Sequence, residues 1–178
     1  MEEPLVKIHY WLYPVSWIYG IGAYLRNKLF DWGYYQSKSF DVPVVCVGNL
    51  AVGGTGKTPH TEYLIKLLQQ TGANVAMLSR GYKRKSKGYV LATEKTDVKR
   101  IGDEPYQIKT KFPDIRVAVD ENRCHGIEQL MKLDNPKVDV VLLDDAYQHR
   151  HVKAGLNILL TDFHRLFSCL LYTSPSPR

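Results

Sequence analysis

A chain of 178 residues, 44% hydrophobic and 24% charged, has the make-up of a globular protein rather than a disordered one, and is long enough for one α/β domain with its own core. Its net charge of +6 favours an anionic partner: a nucleotide, a nucleic acid or an acidic membrane surface. Cys46, Cys124 and Cys169 show no CxxC spacing and no histidines placed around them for zinc. This speaks against a disulfide framework and for a reducing compartment, with Cys46 read as a small core filler.

Residues 8–30, "IHYWLYPVSWIYGIGAYLRNKLF", are the most apolar stretch. They follow the acids Glu2 and Glu3 and precede no small-residue cleavage site, so they do not read as a secretory signal. Pro14, two glycines and many Trp and Tyr rings also make a poor spanning helix, because such rings prefer the headgroup zone. Two readings stand: an interfacial helix pair lying on a membrane, with Arg26 and Lys28 at its end, or an aromatic helix packed on the domain's own core.

The rest alternates between two periodicities. Residues 42–48, "VPVVCVG", read as a buried strand. "KTPHTEYLIKLLQQTG" reads as a helix with an apolar stripe at Tyr63, Leu64, Leu67 and Leu68, stopped by Gly72. "NVAMLS" is a second strand and "GYVLAT" a short third. "GDEPYQIKTKF" opens with acids and a proline, as helix starts do. "DIRVAVD" reads as a strand, "ENRCHGIEQLMKL" as a helix, and "VDVVLLDD" and "LNILLTD" as strands. Such alternation predicts an α/β fold: a mostly parallel sheet with helices on both faces, preceded by the aromatic helical segment.

Between the first strand and helix lies "NLAVGGTGKTPH" (residues 49–60). Phosphate loops curl backbone N–H groups around the anion and need glycine where a Cβ would collide; Gly53, Gly54 and Gly56 answer that need. Ala51, Val52 and Thr55 complete the loop, Lys57 would reach the β- and γ-phosphates, and the Thr58 hydroxyl would take a magnesium position. The strict pattern fails at one place, since Ala51 stands where the first glycine belongs. Asp144 and Asp145 close a buried strand, where acids hold the metal; adjacent acids also occur in turns, but a phosphate loop elsewhere in the chain favours the metal. The residues thus predict a P-loop NTPase-like domain binding ATP and Mg²⁺.

Val52 replaces the second lysine of partition-type ATPases, and no N-K-x-D stretch exists for guanine. A kinase then needs a base for its acceptor hydroxyl, and "GDEP" offers Asp103 and Glu104, apart from the metal acids. Asp103 suits either the base or an N-cap.

"VGNLAVGGTGKTP", "SRGYKRKSKGY", "GDEP", "VDENR" and "LLDDAYQHR", in this order and spacing, closely resemble tetraacyldisaccharide 4'-kinase, the lipid A 4'-kinase of Gram-negative bacteria. The likeness runs to about Phe167, and that family's loop also commonly lacks the first glycine. It implies transfer of the γ-phosphoryl group of ATP to the 4'-hydroxyl of a lipid disaccharide 1-phosphate. The enzyme would sit peripherally on the cytoplasmic face of the inner membrane, with no nucleic acid and no obligate protein partner.

Carried over, the resemblance makes Asp103 the base and gives Lys57 and Thr58 the phosphate and magnesium. Asp144 and Asp145 go to the metal region. Asn49, Arg80, Tyr82, Arg123 and His149 fall near the acceptor and the transferring phosphate. The run "RGYKRKSKG", with cations Arg80, Lys83, Arg84, Lys85 and Lys87 and no acid, would face anionic headgroups or the 1-phosphate, or be a solvated loop. The rival function is a membrane-associated P-loop ATPase switch or scaffold without a small-molecule acceptor.

The expected organisation is an aromatic interfacial segment over 1–38, a nucleotide-binding domain over 39–167 and a tail over 168–178. "SCLLYTSPSPR" departs from the family pattern, which continues into a second domain carrying a histidine that pairs with the base. The expectation is a truncated product with a foreign ending and impaired activity.

Overall fold

The computed structural model describes residues 13–49, 56–146 and 150–161. The expected foreign tail, and Cys169 within it, lie outside these residues. Contacts divide the chain into two units, Met1–Gln36 and Ser37–Arg178.

In the first unit, the described residues form one continuous helix, α1 (Tyr13–Asp31), rather than a helix pair. Pro14 does not interrupt it, because a proline in the first turn has an N–H with no helical partner to lose. Trp17, Ile18, Tyr19, Ile21, Tyr24 and Leu25 are all exposed. Phe30 is the exception, with its ring 5.3 Å from that of Tyr35. No helix among the described residues is long and apolar enough to cross a membrane.

The second unit is built on a six-stranded sheet. In chain order its elements are β1 (Val44–Asn49), α2 (Lys57–Gln70), β2 (Val75–Ser79), β3 (Val90–Leu91), α3 (Val98–Ile101), α4 (Asp103–Lys111), β4 (Arg116–Val119), α5 (Arg123–Met131), β5 (Val140–Asp144) and β6 (Leu156–Leu160). The strand order is β3-β4-β2-β5-β1-β6. All pairings are parallel except β3 with β4.

The pleat assigns alternate residues to two cores. Val75, Met77, Val117, Val119, Val140 and Leu142 pack with Ile65 of α2, Ile101 of α3 and Ile108 of α4. Ala76, Leu78, Ala118, Val141 and Leu143 pack with Ile127 and Leu130 of α5. Helices therefore cover both faces, as the alternation of elements requires. Cys46 is a core residue, and burial pushes its thiol pKa up to about 12, so it is chemically quiet.

Two sequence readings change. The inward face of α2 carries Thr61 and Ile65, flanked by Leu64 and Leu68, while Tyr63 and Leu67 are exposed. The helix is rotated so that a small polar residue, not an aromatic one, meets the sheet. The short helix α3 was not foreseen; Asp97 caps it, its side chain accepting from the Arg100 amide at 3.1 Å.

Candidate nucleotide and acceptor site

Because five strands run parallel, their C-terminal ends share one edge of the sheet, where open α/β sheets place ligands. Strand β5 is inserted between β1 and β2, in a register that sets Val47 opposite Asp144. The acids at the end of β5 thus lie beside the end of β1 and the helix that follows it. Pleat alternation continues the series Val140, Leu142, Asp144 on the side of α2 and α4.

Lys57 begins α2, and its Nζ donates to Asn49 Oδ1 at 3.1 Å and to Asp145 Oδ1 at 3.0 Å. Asp145 turns out of the strand with a left-handed φ of 51°, its amide donating to Val47 O at 3.0 Å. Gly56, the N-cap of α2, is also left-handed at φ 75°, a conformation that glycine adopts without strain. Beyond it the amides of Lys57 and Thr58 begin the helix, where orphan N–H groups and the dipole favour an anion. Ala51, Val52, Gly53, Gly54 and Thr55 of the loop, and His149, lie outside the described residues.

Asp144 is buried, and its Oδ1 has no hydrogen-bond partner among the described residues. Burial, then the charges of Glu104 and Asp145, push its pKa up to about 6; Lys57 and Arg123 pull the other way. Glu104 at the start of α4 is thus electrostatically coupled to Asp144 at the end of β5. An unsatisfied buried carboxylate beside a second one suits a hard divalent cation, which takes oxygen ligands. No group of three or more His, Cys, Asp or Glu able to hold a metal occurs among the described residues. Magnesium commonly fills its remaining positions with water and phosphate oxygens.

This placement makes a stability prediction. With a folded pKa of about 6 against 3.8 normally, Asp144 binds its proton more tightly in the folded state. The folded state then loses stability as pH rises from about 4 through about 6, by at most about 3 kcal/mol. In chelator, Asp144→Asn is expected to raise the melting temperature by about 5 °C at pH 8 and by almost nothing at pH 4. Thermal melts at both pH values check it. An Asn variant that melts lower than the parent at pH 8 would contradict the strained carboxylate.

Asp103, Arg123, and Arg80 with Tyr82, which the resemblance assigns to the acceptor side, lie on α4, α5 and the loop after β2 respectively. Arg123 opens α5, which is capped by Asn122 Oδ1 accepting from the His125 amide at 3.2 Å. The guanidinium is buried; Nη1 donates to Asp120 O, while Nε and Nη2 have no partner among the described residues. Burial first, then the charge of Arg80, holds its pKa below the usual arginine range, against Asp144, Asp145 and Asp120. Two arginines that repel, one with free buried N–H groups, make a place for a phosphate. Tyr82 is exposed, with Lys83 Nζ 5.2 Å from its ring centroid.

Asp103 is the first residue of α4, and Gly102, not Asp103, is the N-cap. Of the two roles open to Asp103, capping falls away, and the exposed carboxylate is not committed to the helix. The basic loop also changes. Arg84 is not a surface cation, because its side chain is 3% exposed and pairs with Glu121 Oε1 at 2.6 Å.

Sequence reasoning missed that pair and a second one, His125 Nδ1 with buried Asp120 Oδ2 at 2.7 Å. The five-residue spacing and the strand-to-helix change between Asp120 and His125 were visible, but the turn that brings the two side chains together was not.

The fold and site together are those of an α/β domain of the P-loop class. The model of the tetraacyldisaccharide-1-P 4'-kinase family matches residues 8–171, and the chain belongs to that family. It is 71% identical over 167 residues to a tetraacyldisaccharide 4'-kinase of Bacteroides fragilis, covering 94% of this chain and 44% of that protein. A second, from Parabacteroides distasonis, is 56% identical over 94% of this chain and 46% of its own length. Among solved structures, the "apo" form of LpxK from Aquifex aeolicus in complex with ATP matches with a TM-score of 0.76 and 41% identity. That match covers 89% of this chain and 51% of the other. The chain thus spans about half the length of the relatives it matches.

Proposed function

We propose that this chain supplies the nucleotide-binding part of a kinase that moves the γ-phosphoryl group of ATP to the 4'-hydroxyl of a lipid A disaccharide 1-phosphate precursor. The observation that carries the reading is the convergence of Lys57, Asn49, Asp144 and Asp145 at one sheet edge, with Glu104, next to Asp103, close enough to raise the pKa of Asp144. The names of the relatives and the ATP bound by the solved one support it.

Lys57 and the α2 N-terminus hold the β- and γ-phosphates, Lys57 leaving Asp145 to do so. Thr58, Asp144 and Asp145 would hold Mg²⁺, which when bound neutralises charge building on the phosphate oxygens. Asp103 accepts the proton of the 4'-hydroxyl as its oxygen bonds to the γ-phosphorus and the bond to the β-phosphate oxygen breaks. Arg80 and Arg123 offer cations to phosphate oxygens, Asn49 and Tyr82 complete the acceptor region, and His149 is assigned a role there by the family resemblance alone. Labelled ATP with the lipid disaccharide 1-phosphate, in a protein of the relatives' full length, tests the reading. Label in the lipid supports the kinase, whereas ATP hydrolysis with unlabelled lipid leaves the switch or scaffold.

We also infer peripheral attachment to the cytoplasmic face of the bacterial inner membrane through the exposed rings of α1. Lys83, Lys85 and Lys87 add exposed cations, each worth about 1 kcal/mol near an anionic surface. In sedimentation, anionic phosphatidylglycerol vesicles are expected to carry the protein down, and Trp17→Ala with Tyr24→Ala to weaken this about tenfold. Equal recovery with vesicles present or absent would remove the membrane from the account.

A further inference from the structure

The loop between β2 and β3 carries Arg80 and Tyr82, and it is tied down on two sides. On one side, Lys85 N donates to Lys99 O at 2.8 Å and the Ser86 hydroxyl donates to Arg100 O, both at α3. On the other, Glu121 at the β4–α5 corner accepts from the Gly88 amide at 2.9 Å through Oε2 and pairs with Arg84 through Oε1. Arg84 then fastens the loop to itself: Nη2 donates to Gly88 O at 2.8 Å and Nη1 to Ser86 Oγ at 3.2 Å.

The packing leaves no slack. A Cβ on Gly81 would stand 2.5 Å from Arg84 Cδ and 2.8 Å from Ile101 O. A Cβ on Gly102, immediately before Asp103, would stand 2.8 Å from Tyr82 O. The loop is therefore wedged between the corner that carries Arg123 and the helix start that carries Asp103.

We propose that the Glu121–Arg84 pair is a positioning clasp for the acceptor, holding the loop so that Arg80 and Tyr82 stand beside Asp103 and Arg123. The proposal rests on the kinase reading and extends it to two residues that touch neither phosphate nor metal. The energetic asymmetry is what makes the clasp work. The Arg84 side chain is 3% exposed and that of Glu121 is 47% exposed, so the carboxylate is what offsets a nearly buried charge. Removing it leaves an unpaired buried cation, which is far more costly than losing a surface ion pair. A surface loop relieves that cost by moving Arg84 toward water, and Arg80 and Tyr82 move with it. The carboxylate is well set for the role: burial opposes its charge, but its own amide, the Gly88 amide and Arg84 hold its pKa below the usual range.

The test compares the parent with Glu121→Gln, which keeps an acceptor for the Gly88 amide, and Glu121→Ala, which keeps nothing. Amide hydrogen exchange over residues 81–88 is expected to rise in that order. In turnover with labelled ATP and the lipid disaccharide 1-phosphate, KM for the acceptor is expected to rise about tenfold in Glu121→Ala. KM for ATP should stay within about twofold. Unchanged exchange in both variants overturns the clasp, and so does a parallel rise in both KM values, which a merely structural role would give. With every variant made in a protein of the relatives' full length, a parent that transfers nothing to the disaccharide fails the kinase reading separately. Loosened exchange in that case leaves only a structural tie, and the positioning role falls.

Discussion

Lys57→Ala is expected to weaken ATP·Mg²⁺ binding by about 100-fold while leaving the melting temperature of the nucleotide-free protein nearly unchanged. The two halves have different physical origins. Charge-assisted hydrogen bonds to phosphate are worth about 1.5–3 kcal/mol each, and an ammonium at the start of α2 reaches more than one phosphate oxygen. In the nucleotide-free protein the same ammonium bonds Asn49 and Asp145, and Asp145 is 61% exposed. An ion pair so open to solvent contributes less than about 1 kcal/mol. Titration calorimetry with ATP·Mg²⁺ and a thermal melt check both. An affinity within about threefold of the parent would remove Lys57 from phosphate binding. Lys57→Arg is not expected to rescue, since a planar fork does not replace a compact point charge seated between Asn49 and Asp145.

Asp103→Asn is expected to lower phosphoryl transfer by about 1,000-fold with ATP affinity unchanged. A positioned general base contributes about 10²–10⁴-fold, and asparagine keeps the shape while losing the proton acceptor. The helix start survives the change because Gly102, not Asp103, caps α4. Asparagine at the first helical position costs only a few tenths of a kcal/mol in lost dipole interaction. The measurement is label transfer to the lipid disaccharide 1-phosphate beside calorimetric ATP binding. Turnover within about tenfold of the parent would assign the proton to another group. A collapse of ATP binding as well would move Asp103 to the nucleotide.

The sheet was legible because its strands are short apolar runs alternating with helical patterns, signals that need only local sequence. The residues proposed to bind phosphate stand out for a similar reason, since Gly56, Lys57 and Thr58 sit where a strand passes into a helix. What local sequence did not carry was the rotation of α2. Tyr63 and Leu67 look like core residues by hydrophobicity, but Thr61 and Ile65 face the sheet. Nor did it carry pairings across long separations. Arg84 reads as one of five surface cations until Glu121, from a different corner of the sheet, removes it from the surface. The coupling of Glu104 to Asp144 is hidden likewise, because it exists only once α4 packs against the sheet near the end of β5.

The insertion of β5 between β1 and β2 also bears on how the protein folds. Lys57 and Asp145 are 88 residues apart in sequence and meet only when a central strand has been placed between two that precede it. Such long-range pairing is slow and exposes strand edges while it waits. Because Lys57 and the acids proposed to act with it meet only once β5 is in place, a nucleotide bound there would stabilise only chains that have completed that insertion. On the proposed function ATP is then a selective ligand for the finished sheet, and a nucleotide supplied during refolding is expected to raise the yield of native protein without entering any reaction.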